Sequence, residues 1–116
     1  VGFLDTLAQE GADVYQLFDS WAGLLAPEVF ETFALPYLLQ IAEKVQKARP
    51  SVPKIVFAKG AHYALEALAA GAYQVVGLDW TMDPRDARHR VGRKIALQGN
   101  NPAVAQQRRD FCRDRP

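Results

Sequence analysis

The chain has 116 residues, 49% of them hydrophobic, which is enough for one packed domain. Its 14 Lys and Arg against 13 Asp and Glu leave no basic field of the kind that drives nucleic-acid binding. No apolar stretch approaches the ~20 residues of a membrane span, so neither nucleic acid nor membrane is an expected partner. The single cysteine, Cys112, allows neither an intramolecular disulfide nor a two-thiolate metal site, and it fits a reducing, intracellular setting. The opening Val1-Gly2-Phe3 has no basic stretch, so it does not read as a signal peptide. It starts inside a helical pattern, as an internal piece of a longer polypeptide would.

Phe3, Leu4 and Leu7 recur at helical spacing, and Gly11 stands where a helix C-cap would. A strand is expected over Asp13–Phe18. Pro27 suits the first position of a helix, because its fixed φ and missing N–H cost nothing there. Apolar residues from Val29 to Val45 trace one broad face, which Pro36 is expected to kink or split into two helices. Pro50-Ser51-Val52-Pro53 is a stiff connector into a strand at Lys54–Ala58. A helix over His62–Ala70 follows, with Gly71 as its stop. Gln74–Leu78 is nearly all apolar, as a strand buried on both faces should be. Asp83-Pro84 is an N-cap acceptor followed by proline at the first helical position. That helix runs to about Val91, and Gly92 releases the chain into a last strand at Lys94–Leu97. Residues 101–116 hold four arginines and two aspartates with little apolar surface, and read as a divergent, disordered tail.

Strands separated by helical stretches imply parallel pairing through crossovers, an α/β organisation. Four strands cannot close a barrel, which needs about eight. The alternatives are a small open sheet of the flavodoxin-like kind or part of a (β/α)8 TIM barrel. In both, the C-terminal strand ends gather at one rim, where ligands bind. Each apolar run here ends in polar side chains: Asp19 and Ser20, then Lys59, then Asp79, then Gln98 and Asn100.

The residues at those ends carry bland readings beside functional ones. Asp79 either faces the cleft and orients a loop, or caps its own turn or pairs with a neighbouring lysine. Lys59 either meets acidic groups of a substrate or forms an ion pair with Asp79. His62 reads as a packed or capping residue, and His89, in Arg85-Asp86-Ala87-Arg88-His89-Arg90, as solvated. Asp19 beside Ser20 lacks the base and oxyanion motif of a nucleophile pair. Gly71, Gly77 and Gly92 make no phosphate-binding motif and serve turns and packing.

Gln16-Leu17-Phe18-Asp19-Ser20-Trp21-Ala22-Gly23, Phe33-Ala34-Leu35-Pro36-Tyr37, Ile55-Val56-Phe57-Ala58-Lys59-Gly60, Val76-Gly77-Leu78-Asp79-Trp80-Thr81 and Leu97-Gln98-Gly99-Asn100 follow one another at characteristic separations. In this order they resemble the uroporphyrinogen decarboxylase family. The resemblance covers residues 1–100 and implies a partial (β/α)8 barrel from the middle to C-terminal half, with about four parallel strands and intervening helices. It further implies a carboxy-lyase of porphyrin and haem biosynthesis that uses no metal or organic cofactor. The implied partner is the tetrapyrrole uroporphyrinogen, the implied assembly a homodimer, and the implied location the cytoplasm or a plastid.

Carried over residue by residue, Ser20 matches the Ser/Thr that hydrogen-bonds substrate at its strand end. Phe18, two residues earlier on the same side of the strand, matches an aromatic position lining the cleft. Lys59 and Asp79 are further candidates for the cleft, and no catalytic residue is assigned. The family's arginine-rich signature, its pyrrole-binding aspartate, its cleft tyrosine and its Gly-His-Gly histidine have no counterpart here. Gly60-Ala61 also departs from the Asp-Gly or Gly-Gly of many members. The chain alone is therefore expected to be inactive. Two other readings are a barrel-sharing corrinoid or methionine-synthase-like methyltransferase, which would bind zinc, and a non-catalytic product associating through its strand edges.

Overall fold

A computed structural model describes residues 2–99, and the expected tail at residues 101–116 lies outside them. The elements in chain order are α1 (Gly2–Gln9), β1 (Tyr15–Asp19), α2 (Pro27–Phe33), α3 (Leu35–Ala48), β2 (Lys54–Ala58), α4 (Leu65–Ala70), β3 (Val75–Leu78), α5 (Pro84–Val91) and β4 (Ala96–Gly99). Short 3₁₀ turns at Ala22–Leu24 and His62–Ala64 follow the first two strands. The strands form one sheet in the order β1-β2-β3-β4, every neighbour parallel. Sequential order with a helical crossover at each step is what a stretch of (β/α)8 barrel gives. A flavodoxin-like sheet changes direction at its switch point instead.

The local chemistry explains most boundaries. Gly11 ends α1 with φ 99°, and its N–H reaches the Ala8 carbonyl at 3.1 Å. Pro27 opens α2, and the Asp83 side chain accepts from the Arg85 N–H at 2.7 Å to cap α5. The split between α2 and α3 falls at Ala34, two residues ahead of Pro36, because proline is tolerated in the first turn of the second helix.

Besides β3, which starts at Val75 rather than Gln74, three expected boundaries move. The first strand is Tyr15–Asp19 rather than Asp13–Phe18, since its pairing starts where the Tyr15 N–H meets the Pro53 carbonyl. The helix expected from His62 begins with a tighter 3₁₀ turn and becomes α-helical only at Leu65. The last strand is Ala96–Gly99 rather than Lys94–Leu97, because residues 93–95 are spent leaving Gly92, whose φ is 73°.

Alternation along each strand divides the sheet into two faces. Tyr15 and Leu17, Lys54 and Val56, and Val76 and Leu78 point to the helical side, where Leu17, Val56, Val76 and Leu78 share a core with Phe30, Ala42, Leu65, Leu68 and Ala87. Gln16, Phe18, Ala96 and Gln98 face the other way and are exposed, while Ile55, Phe57, Val75 and Gly77 on that side are half-buried. Lys54 is fully buried yet satisfied, its ammonium donating to Gln46 Oε1 and to the Val52 carbonyl, and burial lowers its pKa.

Tyr73, at the entry to β3, donates its hydroxyl to the Leu38 carbonyl of α3 at 2.6 Å. Burial pushes its phenol up to about 12. The neutral phenol is the form that folding favours, so this stabilisation is complete below the free-phenol value of ~10 and fades as pH climbs toward 12. Replacing Tyr73 with Phe is expected to cost about 1 kcal/mol at neutral pH, read as a lower urea midpoint. The same change should remove the share of the alkaline loss that comes from this phenol.

Candidate functional site

All four sequence-predicted site residues, Phe18, Ser20, Lys59 and Asp79, lie at the C-terminal ends of neighbouring parallel strands. Phe18 is directly opposite Phe57, and their rings meet edge to face at 6.3 Å. With Gln16, Gly77 and Gln98 they line an open groove of about 280 Å³ on the face of the sheet away from the helices. Gly77 is required beneath it, since a Cβ there would lie 2.8 Å from the Phe57 ring. Ser20 continues the Phe18 side of β1 beyond the strand. It is exposed, and its hydroxyl has no hydrogen-bond partner among the described residues. Ser20, Trp21, Gly23, Leu24, Lys59 and Gly60 surround a second recess of about 200 Å³ at the rim.

The rim loops are tied to one another. The Lys59 N–H donates to the Asp19 carbonyl at 3.0 Å, and the Lys59 carbonyl accepts from the Gly23 N–H at 2.7 Å. Gly23 and Gly60 touch backbone to backbone, because a Cβ on either would come within 2.9 Å of the other's Cα. Asp19 closes a small turn of its own, its Oδ1 accepting from the Trp21 N–H at 3.3 Å.

Asp79 links the next pair of loops. It is 9% exposed. Its Oδ2 accepts from the Gly60 N–H at 2.7 Å, and its Oδ1 accepts from the Thr81 N–H at 2.8 Å and from the Thr81 hydroxyl. His62 Nε2 stands 2.6 Å from Thr81 Oγ1 and 3.7 Å from Asp79 Oδ1. Because the Thr81 hydroxyl proton is committed to Asp79, His62 Nε2 must carry a proton and donate to Thr81. Burial pushes the Asp79 carboxyl up in pKa, but the hydrogen bonds from Thr81 and Gly60, with His62 nearby, more than offset it and leave it below the usual value.

The His62 carbonyl accepts from Arg90 at 2.6 Å, and Arg90 also forms a forked pair with Glu66 at 2.6 and 2.7 Å. The Arg90 hydrogen bonds hold Glu66 below the usual carboxylate range, which anchors the turn carrying His62 to α5.

The ion pair between Lys59 and Asp79 weighed from the sequence does not form. Asp79 spends both oxygens on Gly60 and Thr81, and the Lys59 side chain is exposed, with no ion-pair partner among the described residues. The turn-capping reading of Asp79 holds, through Thr81, but the tie to Gly60 goes beyond it. His62 is a half-buried bonding residue and His89 is exposed on α5, as expected. The joint role of Gly60, His62 and Thr81 was not singled out from the sequence. The spacing Asp79-Trp80-Thr81, which suits a side chain bonding to the backbone two residues on, was the available signal. Among the described residues, no three His, Cys, Asp or Glu side chains converge in a way that could hold a metal ion. No described helix is long and apolar enough to cross a membrane.

A family model described as Uroporphyrinogen decarboxylase (URO-D) matches residues 1–111. The chain belongs to the uroporphyrinogen decarboxylase family. It is 56% identical over 100 residues to the uroporphyrinogen decarboxylase of Salinibacter ruber, an alignment covering 86% of this chain and 28% of that one. Against the Homo sapiens uroporphyrinogen decarboxylase it is 52% identical over 96 residues, 78% of this chain and 26% of the relative. Against uroporphyrinogen decarboxylase 2, chloroplastic, of Arabidopsis thaliana it is 47% identical over 109 residues, 93% and 28% respectively. The chain thus spans little more than a quarter of the length of these relatives. Family membership makes the four-stranded parallel sheet a segment of a TIM barrel, with the Phe18–Phe57 face as the inner wall.

Proposed function

We propose that this chain is the segment of a uroporphyrinogen decarboxylase that supplies one wall and part of the rim of the substrate cleft. The complete enzyme removes the carboxylates of the four acetate side chains of uroporphyrinogen to give coproporphyrinogen. The observation that carries this reading is the groove of about 280 Å³ lined by Phe18 and Phe57, with Ser20 and Lys59 on the rim above it. Flat aromatic edges suit a tetrapyrrole, and a free hydroxyl and a free ammonium suit its acid side chains.

In each cycle a pyrrole carbon is protonated and the ring becomes an electron sink. The bond to the departing carboxylate breaks, its electron pair flows into the ring, and CO₂ leaves. The exocyclic carbon then takes a proton as the ring gives one up, so a proton replaces CO₂. This segment's share is binding. Phe18 and Phe57 shape the wall, Ser20 hydrogen-bonds substrate and Lys59 attracts a carboxylate, while the protonating group belongs elsewhere in the barrel. Alone, the segment is inactive. A homodimer and a cytoplasmic location follow from the resemblance alone, and the chloroplastic Arabidopsis relative supports a plastid as the alternative.

The test is a host enzyme: the full-length Salinibacter ruber decarboxylase with its matching stretch replaced by this one. Release of CO₂ and formation of coproporphyrinogen are expected, and a folded host that leaves uroporphyrinogen untouched overturns the reading. Ser20→Ala in the host is expected to raise KM by about tenfold or more, the loss of one hydrogen bond to a charged group, at unchanged thermal midpoint. An unchanged KM removes Ser20 from the binding set.

A further inference from the structure

Asp79 makes more bonds than its own turn requires. Capping that turn takes one oxygen, which Thr81 occupies. The other oxygen reaches Gly60, 19 residues earlier in the chain and on the neighbouring strand's loop. A carboxylate this buried is costly unless its acceptors are filled, and here the donors come from two separate loops. Gly60 stands at φ 80°, in the left-handed region, and follows directly on Lys59. Lys59 is held at its own N–H by Asp19 and at its carbonyl by Gly23, so its backbone is fixed on three sides while its ammonium remains exposed. The same recess of about 200 Å³ takes in Lys59 and Ser20.

We propose that Asp79 is a positioning residue for substrate binding: by gripping Gly60 and Thr81 together it sets where Lys59 presents its ammonium to an acid side chain beside Ser20. Asp79 does not touch substrate itself. His62, donating to Thr81, holds the far end of the grip. The proposal rests on the decarboxylase reading for its substrate, but the grip is a property of the rim that can be measured separately.

The test uses the full-length host. Asp79→Ala is expected to raise KM for uroporphyrinogen about tenfold with kcat changed less than about threefold, the pattern of lost binding rather than lost chemistry. Asp79→Asn, which keeps one acceptor oxygen for either Gly60 or Thr81, should recover part of that loss, and it serves if the alanine variant fails to fold. In a Lys59→Ala background, Asp79→Ala should add nothing further to KM, because the group it places is gone. An equal KM rise in both backgrounds, or a fall in kcat alone, overturns the proposal.

Hydrogen exchange gives the readout that needs no turnover. Asp79→Ala should speed exchange at the amides of Gly60 and Gly23, and unchanged exchange at both overturns the proposal as well. A host that exchanges as expected but never decarboxylates places the failure in the functional reading instead.

Discussion

Gly23→Ala in the host enzyme should cost about 2–4 kcal/mol of stability and most of the affinity for uroporphyrinogen. The added Cβ would lie 2.9 Å from both the Gly60 Cα and the Lys59 carbonyl oxygen. Both are backbone atoms, so no rotamer change relieves the contact. The loop after β1 must then lift off the loop after β2, and the 2.7 Å bond from the Gly23 N–H to the Lys59 carbonyl breaks. Overpacking accounts for about 1–3 kcal/mol and the lost bond for about 1 more. Urea denaturation reads the stability and steady-state kinetics the KM. A midpoint and KM like those of the unsubstituted host would show that the two loops are not held this closely. Gly2→Ala, with nothing within 4 Å of its Cβ, is the control and should lower neither the midpoint nor the affinity.

The second large effect is in the core. Phe30 on α2 is fully buried, and its ring meets the Tyr63 ring edge to face at 5.7 Å. Tyr63 lies in the turn ahead of α4, so this pair joins α2 to the next βα unit. Phe30→Ala leaves a cavity and is expected to cost about 3–5 kcal/mol, with the aromatic pairing contributing about 1 of that. A fall in urea midpoint of that size without a matching change in KM is the expected result, because Phe30 sits on the helical side of the sheet, away from the groove. Phe30→Leu should lose less than half as much. Equal losses for the two variants would mean that the ring contact, rather than apolar burial, holds this junction.

Much of this architecture was legible in residue order. Pro27 and Asp83-Pro84 marked helix starts, Gly11 marked a helix end, and apolar runs separated by helical stretches implied parallel strands. These are local signals, and local chemistry decides them. The start of β4 was misplaced because Ile95 is as apolar as a strand residue, yet it is buried from the turn that leaves Gly92. The Asp79 grip was only half legible. Its bond to Thr81 follows from spacing, whereas its bond to Gly60 depends on the register of β2 against β3 and on the φ of Gly60. Neither of those is written in any short stretch. Lys54 shows the same limit: no local pattern says that Gln46, eight residues back on α3, will receive its ammonium.

The division of the sheet into two sides has a consequence for descent with change. Along β1, β2 and β3, every second residue secures the packed layer of helices, and those between face the open groove. Selection can therefore exchange Gln16, Phe18 or Phe57, together with Gln98 on β4, and so reshape the groove while Leu17, Val56, Val76 and Leu78 stay as they are. One strand thus carries two nearly independent messages, and a change in the groove need not put the architecture at risk.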